Sequence, residues 1–414
     1  MKMKPTVAML IDTNIFLAVE PNESDDRGWR NKQLNDIYKR IICPDFLVDN
    51  EYMYFPVYKS DEFVRVDTNT GEVEVLCIFE TDPQKEYYNL YNSMVKVGKY
   101  IVLAPANAEK IAIYDIEDGK MHYIELEEAE VNGNEIYDAI SLFYGCLRDG
   151  DHVFLLGFYY PAIVRIDMKN FEVYYIKEWV KQLDSNIPRG DRRGYIGNGC
   201  CVQGRRAILP IMCAPALLYL DLDSQVSDVE IVDTQMDGFG VMVCDEENLY
   251  LQGKGDSIGK VCKFSLDKKR VIVDALQIES LNRVDYGTAF SGTVKDGNTW
   301  FLFPQEGTNL YELNTESMKM EIPNWCSFLD KHKYGKDQWV LCAKQIENRI
   351  VFTTNGDKMW HEYNLNSGKV SHYAVLLPEE YVEKRMQEKM KGIIAKRGII
   401  SEREYDLENF MKIL

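Results

Sequence analysis

An all-β fold of seven four-stranded units with a short C-terminal helical tail is what the sequence predicts, and three observations predict it. Apolar residues fall in short strand-like runs, one pattern of four runs returns along the chain, and its period is about 50 residues. The pattern is a β-rich run, a tight polar turn, a second run often ending in Pro or Gly, a variable loop, a third run, a short turn and a fourth run. Its later portion reads YMYFPVYKSDEFVRVDTNTGEVEVL from Tyr52, YIVLAPANAEKIAIYDIEDGKMHYIEL from Tyr100 and VFLLGFYYPAIVRIDMKNFEVYYI from Val153. It returns from Ala207 and near Leu249, Trp300 and Ile350. Aligning the ends of the third runs places Asp67, Asp115, Asp167, Asp221, Ser265, Leu313 and Asn364 in one column. An aspartate there ends a strand and accepts hydrogen bonds from its own turn, which is a structural role.

Turn chemistry supports the strands. Asp49-Asn50, Asp149-Gly150 and Asp296-Gly297 fall between first and second runs, and Gly71, Gly119 and Gly368 between third and fourth. Four strands in about 50 residues is the size of a propeller blade, so seven copies predict a seven-bladed β-propeller. At about 150 residues per domain the length would otherwise suggest three domains; stacked blades remove that need, because each buries its faces only against its neighbours. On this pattern the chain resembles the β-propeller superfamily over residues 41 to 377, with a WD- or kelch-like period. It lacks the Trp-Asp ending of WD repeats and the Gly-Gly pair of kelch blades. The run DGNTW at Asp296 to Trp300 lacks the spacing of the sialidase-type Asp box. The resemblance therefore implies a fold and supplies no catalytic set.

Charge narrows the function classes. With 48 Lys+Arg against 66 Asp+Glu the formal net charge is -18, which disfavours nucleic acid and anionic membrane surfaces as partners. No apolar run reaches the ~20 residues of a membrane span, and Asp12 and Asn14 interrupt the stretch that would serve as a signal peptide. Most of the ten cysteines, such as Cys77, Cys146, Cys262 and Cys342, lie in strand-like runs. They read as buried thiols of a reducing, cytoplasmic compartment. There is no CxxC pair and no short histidine spacing, so neither a metal nor another cofactor is expected.

Loop lengths point to one working face. First-to-second and third-to-fourth turns are short, whereas the connections between blades are long, as at 80–92, 127–140, 177–197, 278–288 and 322–338. In propellers these connections share a face with the second-to-third loops. Within the connection from the third blade to the fourth, Arg189, Arg192 and Arg193 depart from the acidic background; forked guanidinium bonds suit carboxylate, phosphate or sulfate. Arg205 and Arg206 follow at a tight turn on the opposite face. Tyr87, Tyr88, Tyr159 and Tyr160 offer flat amphipathic surfaces for a sugar ring or a peptide. The expected function is a non-catalytic binding or scaffold module for a protein or a small anionic or carbohydrate ligand. The alternative is a carbohydrate-active or lyase-type enzyme, with acids such as Asp82, Glu86, Asp184, Asp237 and Asp285 converging at the channel mouth.

The chain ends differ from the repeat. Residues 1–40 read as an extension, a hairpin turning at Thr13-Asn14 and then a short helix or loop. Its LIDTNIFL resembles the first strand of PIN-type nucleases, but the alternating helices and further acids of that fold do not follow. From 378 to 414 eight basic residues balance eight acidic ones, so the whole -18 belongs to residues 1–377. This tail predicts helix, with Ser401 to Glu404 as a capping box and a stripe at Leu407, Phe410, Met411 and Leu414. It is expected to dock on the propeller flank or on a partner.

Overall fold

The structure, a computed structural model, describes residues 39–81, 89–129, 141–186, 194–254, 257, 259–277, 290–304, 309–329, 340–385 and 387. The chain divides into two compact units, Met1–Tyr38 and Lys39–Leu414, and every described residue belongs to the second. The Thr13-Asn14 hairpin and the 401–414 stripe lie outside the described residues.

Seven four-stranded antiparallel sheets follow one another in strict chain order, at 47–78, 91–125, 143–176, 201–231, 239–277, 290–321 and 340–373. The fold is a seven-bladed β-propeller. First strands approach one another through blades 1 to 3 and through blades 5 to 7, which makes Leu47–Asp49, Tyr91–Val97, Phe143–Asp149, Phe239–Cys244, Phe290–Asp296 and Val340–Ile346 the inner strands, with Cys201–Gln203 the first strand of blade 4. Second strands are buried on both faces, as in Tyr100–Pro105, where only Tyr100 is partly exposed. Outer strands alternate, as in Glu172–Ile176. That gradient follows from the stacking: the middle of each blade is covered on both sides, and the rim on neither.

The repeated turn column has a simple physical cause. Asp67 Oδ1 accepts from the amides of Asn69 and Thr70, Asp115 Oδ1 from those of Glu117 and Asp118, and Asp221 Oδ1 from those of Asp223 and Ser224. Asn364 does the same, and Ser265 accepts from Lys268. The sixth member is Asn314, which accepts from the amides of Glu316 and Ser317. The sequence alignment had put Leu313 there; Leu313 is fully buried one residue earlier, and a leucine could not accept the turn amides. Asn50, Gly150 and Gly297 adopt positive φ, as the paired first-to-second turns require.

One element was not foreseen. Glu178–Asn186 forms a helix, α1, in the connection after the third blade, with Trp179 and Leu183 fully buried one turn apart. Trp179 Nε1 donates to Ile176 O, fixing the helix to the strand that precedes it.

Among the described residues every junction is filled by an apolar cluster and crossed by at least one polar link. Five clusters each join two adjacent blades, and the sixth serves blades 7, 1 and 2 together. Lys96 pairs with Asp49 across blades 1 and 2, and Arg148 donates to Lys96 O across 2 and 3. Arg205 forms a forked pair with Asp149 at 2.6 Å across 3 and 4. Gln203, Lys263 and Gln345 complete the circuit to Glu246 O, Thr315 O and Asp296.

The junction of blades 7 and 1 joins parts of the chain about 300 residues apart and is built in layers. At the axis, the carboxylate of Asp45 accepts from Phe46 N, from Met94 N of blade 2 at 2.7 Å and from Lys344 Nζ of blade 7 at 2.5 Å. Further out, Thr353 Oγ1 donates to Cys43 O at 3.0 Å, and the indole of the fully buried Trp360 to Ile41 O at 2.9 Å. At the rim Arg40–Ile41 pairs antiparallel with Val375–Leu376. The chain then enters a helical stretch at 379–385 that sits on blade 1: Tyr381 Oη donates to Glu62 at 3.1 Å, and Arg385 pairs with Asp61.

Replacing Asp45 with Ala removes three acceptor interactions from a buried site and is expected to cost on the order of 3 kcal/mol in urea unfolding. Asp49→Ala, at a partly exposed pair, should cost under about 1 kcal/mol. Burial, with His372 adding, pushes buried His361 down to about 3. The unfolded chain therefore binds a proton below about pH 6.5 that the folded chain refuses, and stability is lost as pH falls from there toward 3. Unfolding free energy should drop by up to about 1.4 kcal/mol per pH unit in that window, and a His361→Gln variant should lack this component.

Candidate functional site

The long-connection face gains its shape from a bulge repeated at the top of the inner strands. In five blades the register slips by one between the first and second paired residues, leaving Asn92, Tyr144, Gly240, Ser291 and Leu341 as the extra positions. A bulge residue is unpaired and re-aimed, and bulges gather next to working sites for that reason. The residue before each bulge is anchored: Tyr91, Phe143, Phe239, Phe290 and Val340 are all buried. The amide after the second strand ties the blade's opening down, Ala106 N to Leu90 O at 2.7 Å and Phe158 N to Leu142 O at 2.8 Å.

Blade 4 solves the same position differently. Asn198 leaves its own sheet and pairs with Val241 of blade 5, accepting from Met242 N and donating to Gly240 O. Both flanking glycines are required: a Cβ on Gly199, at φ +104, would lie 2.0 Å from Met242 O, and one on Gly197 would lie 2.6 Å from Phe239 O.

On the side of blades 2 and 3 the described part of this mouth is rich in uncharged hydrogen-bonding groups. Asn92 Nδ2 donates to Ser141 Oγ, and Asn89 Nδ2 to Asn92 Oδ1. Asn89 Oδ1 is buried with no partner among the described residues. Beside them Tyr144 stacks on Phe158 with centroids 3.9 Å apart and planes 10° from parallel, and Tyr159 meets Phe158 edge-on at 4.5 Å. Burial, with Tyr159 adding, holds the Tyr144 phenol protonated far above its usual range, so it acts as a neutral donor and acceptor. The Phe158 ring lies so close to Gly194 that a Cβ there would come within 2.4 Å of it.

Deeper along the axis lie Ser93, Cys146, Asp45 and Lys344. Ser93 hydrogen-bonds the Cys146 thiol, and burial pushes that thiol up to about 12. Burial works against the Lys344 ammonium, but the charge and hydrogen bond of Asp45 outweigh it and hold the ammonium above its usual value. Its side chain is still 40% exposed, which places it against channel water. Asp45 and Lys344 neutralise one another at this level of the channel.

Of the residues singled out from sequence, Arg189, Arg192, Arg193, Tyr87 and Tyr88 lie outside the described residues, as do Asp82, Glu86 and Asp285. Tyr159 is half-buried in the aromatic group above. Tyr160 departs from the expectation of a ligand-facing ring: it is 2% exposed, packs on Phe143 and donates its hydroxyl to Glu127 O at 2.9 Å. The alternation that turns Tyr159 outward turns its neighbour into the core. Arg205 sits at a first-to-second turn, so it belongs to the opposite face, as expected. Asp237 is exposed and accepts from Ser257 Oγ at 3.1 Å.

Asn92, Tyr144 and Asn198 were missed from sequence. The signal was present as an aromatic or apolar residue followed by a residue of no consistent type, at the start of the inner strands of blades 2, 3, 5, 6 and 7. Among the described residues one group could offer three metal ligands, Asp115, Asp118 and His122. There Lys99 Nζ, 2.7 Å from Asp115 Oδ2, already supplies a cation.

No protein-family model and no curated protein matches the chain. Solved structures do. The chain is similar to virginiamycin B lyase from Staphylococcus aureus, solved with quinupristin, at 11% identity and TM-score 0.53, covering 77% of this chain and 94% of that one. It is similar to the β-propeller domain of Cps50 (Swd1) from Myceliophteria thermophila at 12% identity and TM-score 0.50, covering 81% and 97%. It also matches 37% of the length of the extracellular domain of BT4673 from B. thetaiotaomicron, at 10–11% identity and TM-score 0.48. These likenesses show the fold alone. No helix among the described residues is long and apolar enough to cross a membrane.

Proposed function

We propose that the chain is a binding module that recognises a protein segment at the bulge ring on its long-connection face. The observation that carries this reading is the contrast between two columns of the repeat. The turn column holds Asp, Asn or Ser in every blade, because one hydrogen-bonding task recurs. The bulge column holds Asn, Tyr, Gly, Ser and Leu, so no shared structural task fixes it. Stacked aromatics beside side-chain amides and a hydroxyl suit peptide groups, which offer donors, acceptors and flat apolar surface together. The lyase and the Cps50 propeller domain, similar in fold, are compatible with either a catalytic or a binding role, and several of the described acids near the axis are already engaged or lie on the other face. Asp45 and Asp49 are each paired with a lysine, and Asp49, Asp149 and Asp296 sit at turns of the opposite face.

A photo-crosslinking residue at position 144 or 92 should capture a discrete partner from the native cell extract, and the same residue at position 206, on the opposite face, should not. Against that partner Tyr144→Ala should weaken binding by about tenfold or more. Joint replacement of Arg189, Arg192 and Arg193 by Ala reports whether an anionic surface contributes. Equal capture from positions 144 and 206 would sink the assignment.

A further inference from the structure

We propose that Cys43 and Cys342 are a site of reversible oxidation, whose disulfide closes the propeller ring covalently. Six of the seven blade junctions are crossed by the continuous chain. The junction of blades 7 and 1 is crossed by none, and these two cysteines face each other there. Cys43 lies between the Arg40–Ile41 ribbon strand and the first blade, and Cys342 lies in the inner strand of blade 7, 299 residues away. Their sulfurs are 3.9 Å apart. Thr353 holds both, donating to Cys43 O at 3.0 Å with its oxygen 3.5 Å from Cys342 Sγ. Both residues are buried, at 0% and 6% exposure. A disulfide needs the sulfurs about 2 Å closer, a movement within reach of side-chain rotation.

Position gives the pair its meaning. A cross-link removes more freedom from the unfolded chain the longer the loop it closes, and this one would close nearly the whole ring. A second thiol contact, between Cys201 and Cys244, joins blades 4 and 5, which the chain already links. It would close a short loop only.

The reaction balances with a small peroxide as oxidant. The Cys342 thiolate, the less deeply buried of the two, attacks one oxygen of hydrogen peroxide; the O–O bond breaks, hydroxide leaves and the sulfur becomes a sulfenic acid. The Cys43 thiolate attacks that sulfur, the S–S bond forms, the S–O bond breaks and a second hydroxide leaves. Two electrons pass from the sulfurs to the peroxide, and the two thiol protons convert both hydroxides to water. Burial, with Cys342 adding, holds the Cys43 thiol protonated, so reaction proceeds as the junction opens. A dithiol reductant reverses it by exchange.

The test titrates the full chain with hydrogen peroxide, followed by non-reducing peptide mapping and thermal unfolding. A Cys43–Cys342 peptide should appear with a loss of two mass units. The unfolding midpoint should rise by on the order of 5 °C and return with dithiothreitol, whereas Cys43→Ser and Cys342→Ser should show no such rise. If the map shows both thiols free while other cysteines are consumed, or only a Cys201–Cys244 link, the proposal fails. A linked ring with an unchanged midpoint also overturns it. Because mapping uses the unaltered protein, a poorly folding serine variant leaves the test intact.

Discussion

Everything in this propeller depends on closing the ring between its first and last blades. A blade cannot cover its own faces, so each of the seven relies on two neighbours, and six junctions are already brought together by chain connectivity. The seventh must hold through contacts alone. Several unlike interactions hold it: the buried Asp45 carboxylate with its amide and ammonium donors, the Trp360 indole on Ile41 O, the ribbon of Arg40–Ile41 with Val375–Leu376, and the helical stretch seated on Asp61 and Glu62. The apolar cluster follows the same logic, since it spans blades 7, 1 and 2 where the others span two. This chain keeps every blade consecutive and moves the closing pair outside them, which explains why the end segments carry so many long-range bonds.

Closure also shapes the candidate site. Asp45 reaches from the entry of blade 1 to Met94 on the inner strand of blade 2, two residues past the Asn92 bulge. The polar cluster at Asn92 and the stacked Tyr144 therefore stand on inner strands whose spacing is fixed at the axis. The scaffold is rigid where the repeat is regular, and variable at the one inner-strand position released from pairing.

The blade count, the strand order and the turn chemistry were legible in the sequence because each repeats a local physical task. A side chain that caps its own turn recurs in every blade, as aspartate in the first four and as serine or asparagine in the rest, and the one-residue error at Leu313 falls where an asparagine stands for the aspartate. The site was much less legible. A bulge arises from register between two strands, so Asn92 and Tyr144 carry no mark of it along the chain. Asn198 pairs with a strand of the next blade, and only its flanking glycines hinted at a close approach. Helix α1 was hidden because it is only nine residues long and lies in a polar connection between blades, although Trp179 and Leu183, one turn apart, carry the helical period. Tyr159 and Tyr160 show the limit in miniature: adjacent identical residues, one at the mouth and one in the core.

The most direct test of ring closure is native-state hydrogen exchange across the blades at low denaturant. If the junction of blades 7 and 1 is the one that must hold without the chain, amides in 42–58 and in the strands of 340–373 should exchange together, through a sub-global opening below the free energy of global unfolding. Simultaneous exchange of all seven blades, or first opening at a chain-linked junction such as that of blades 4 and 5, would contradict the account.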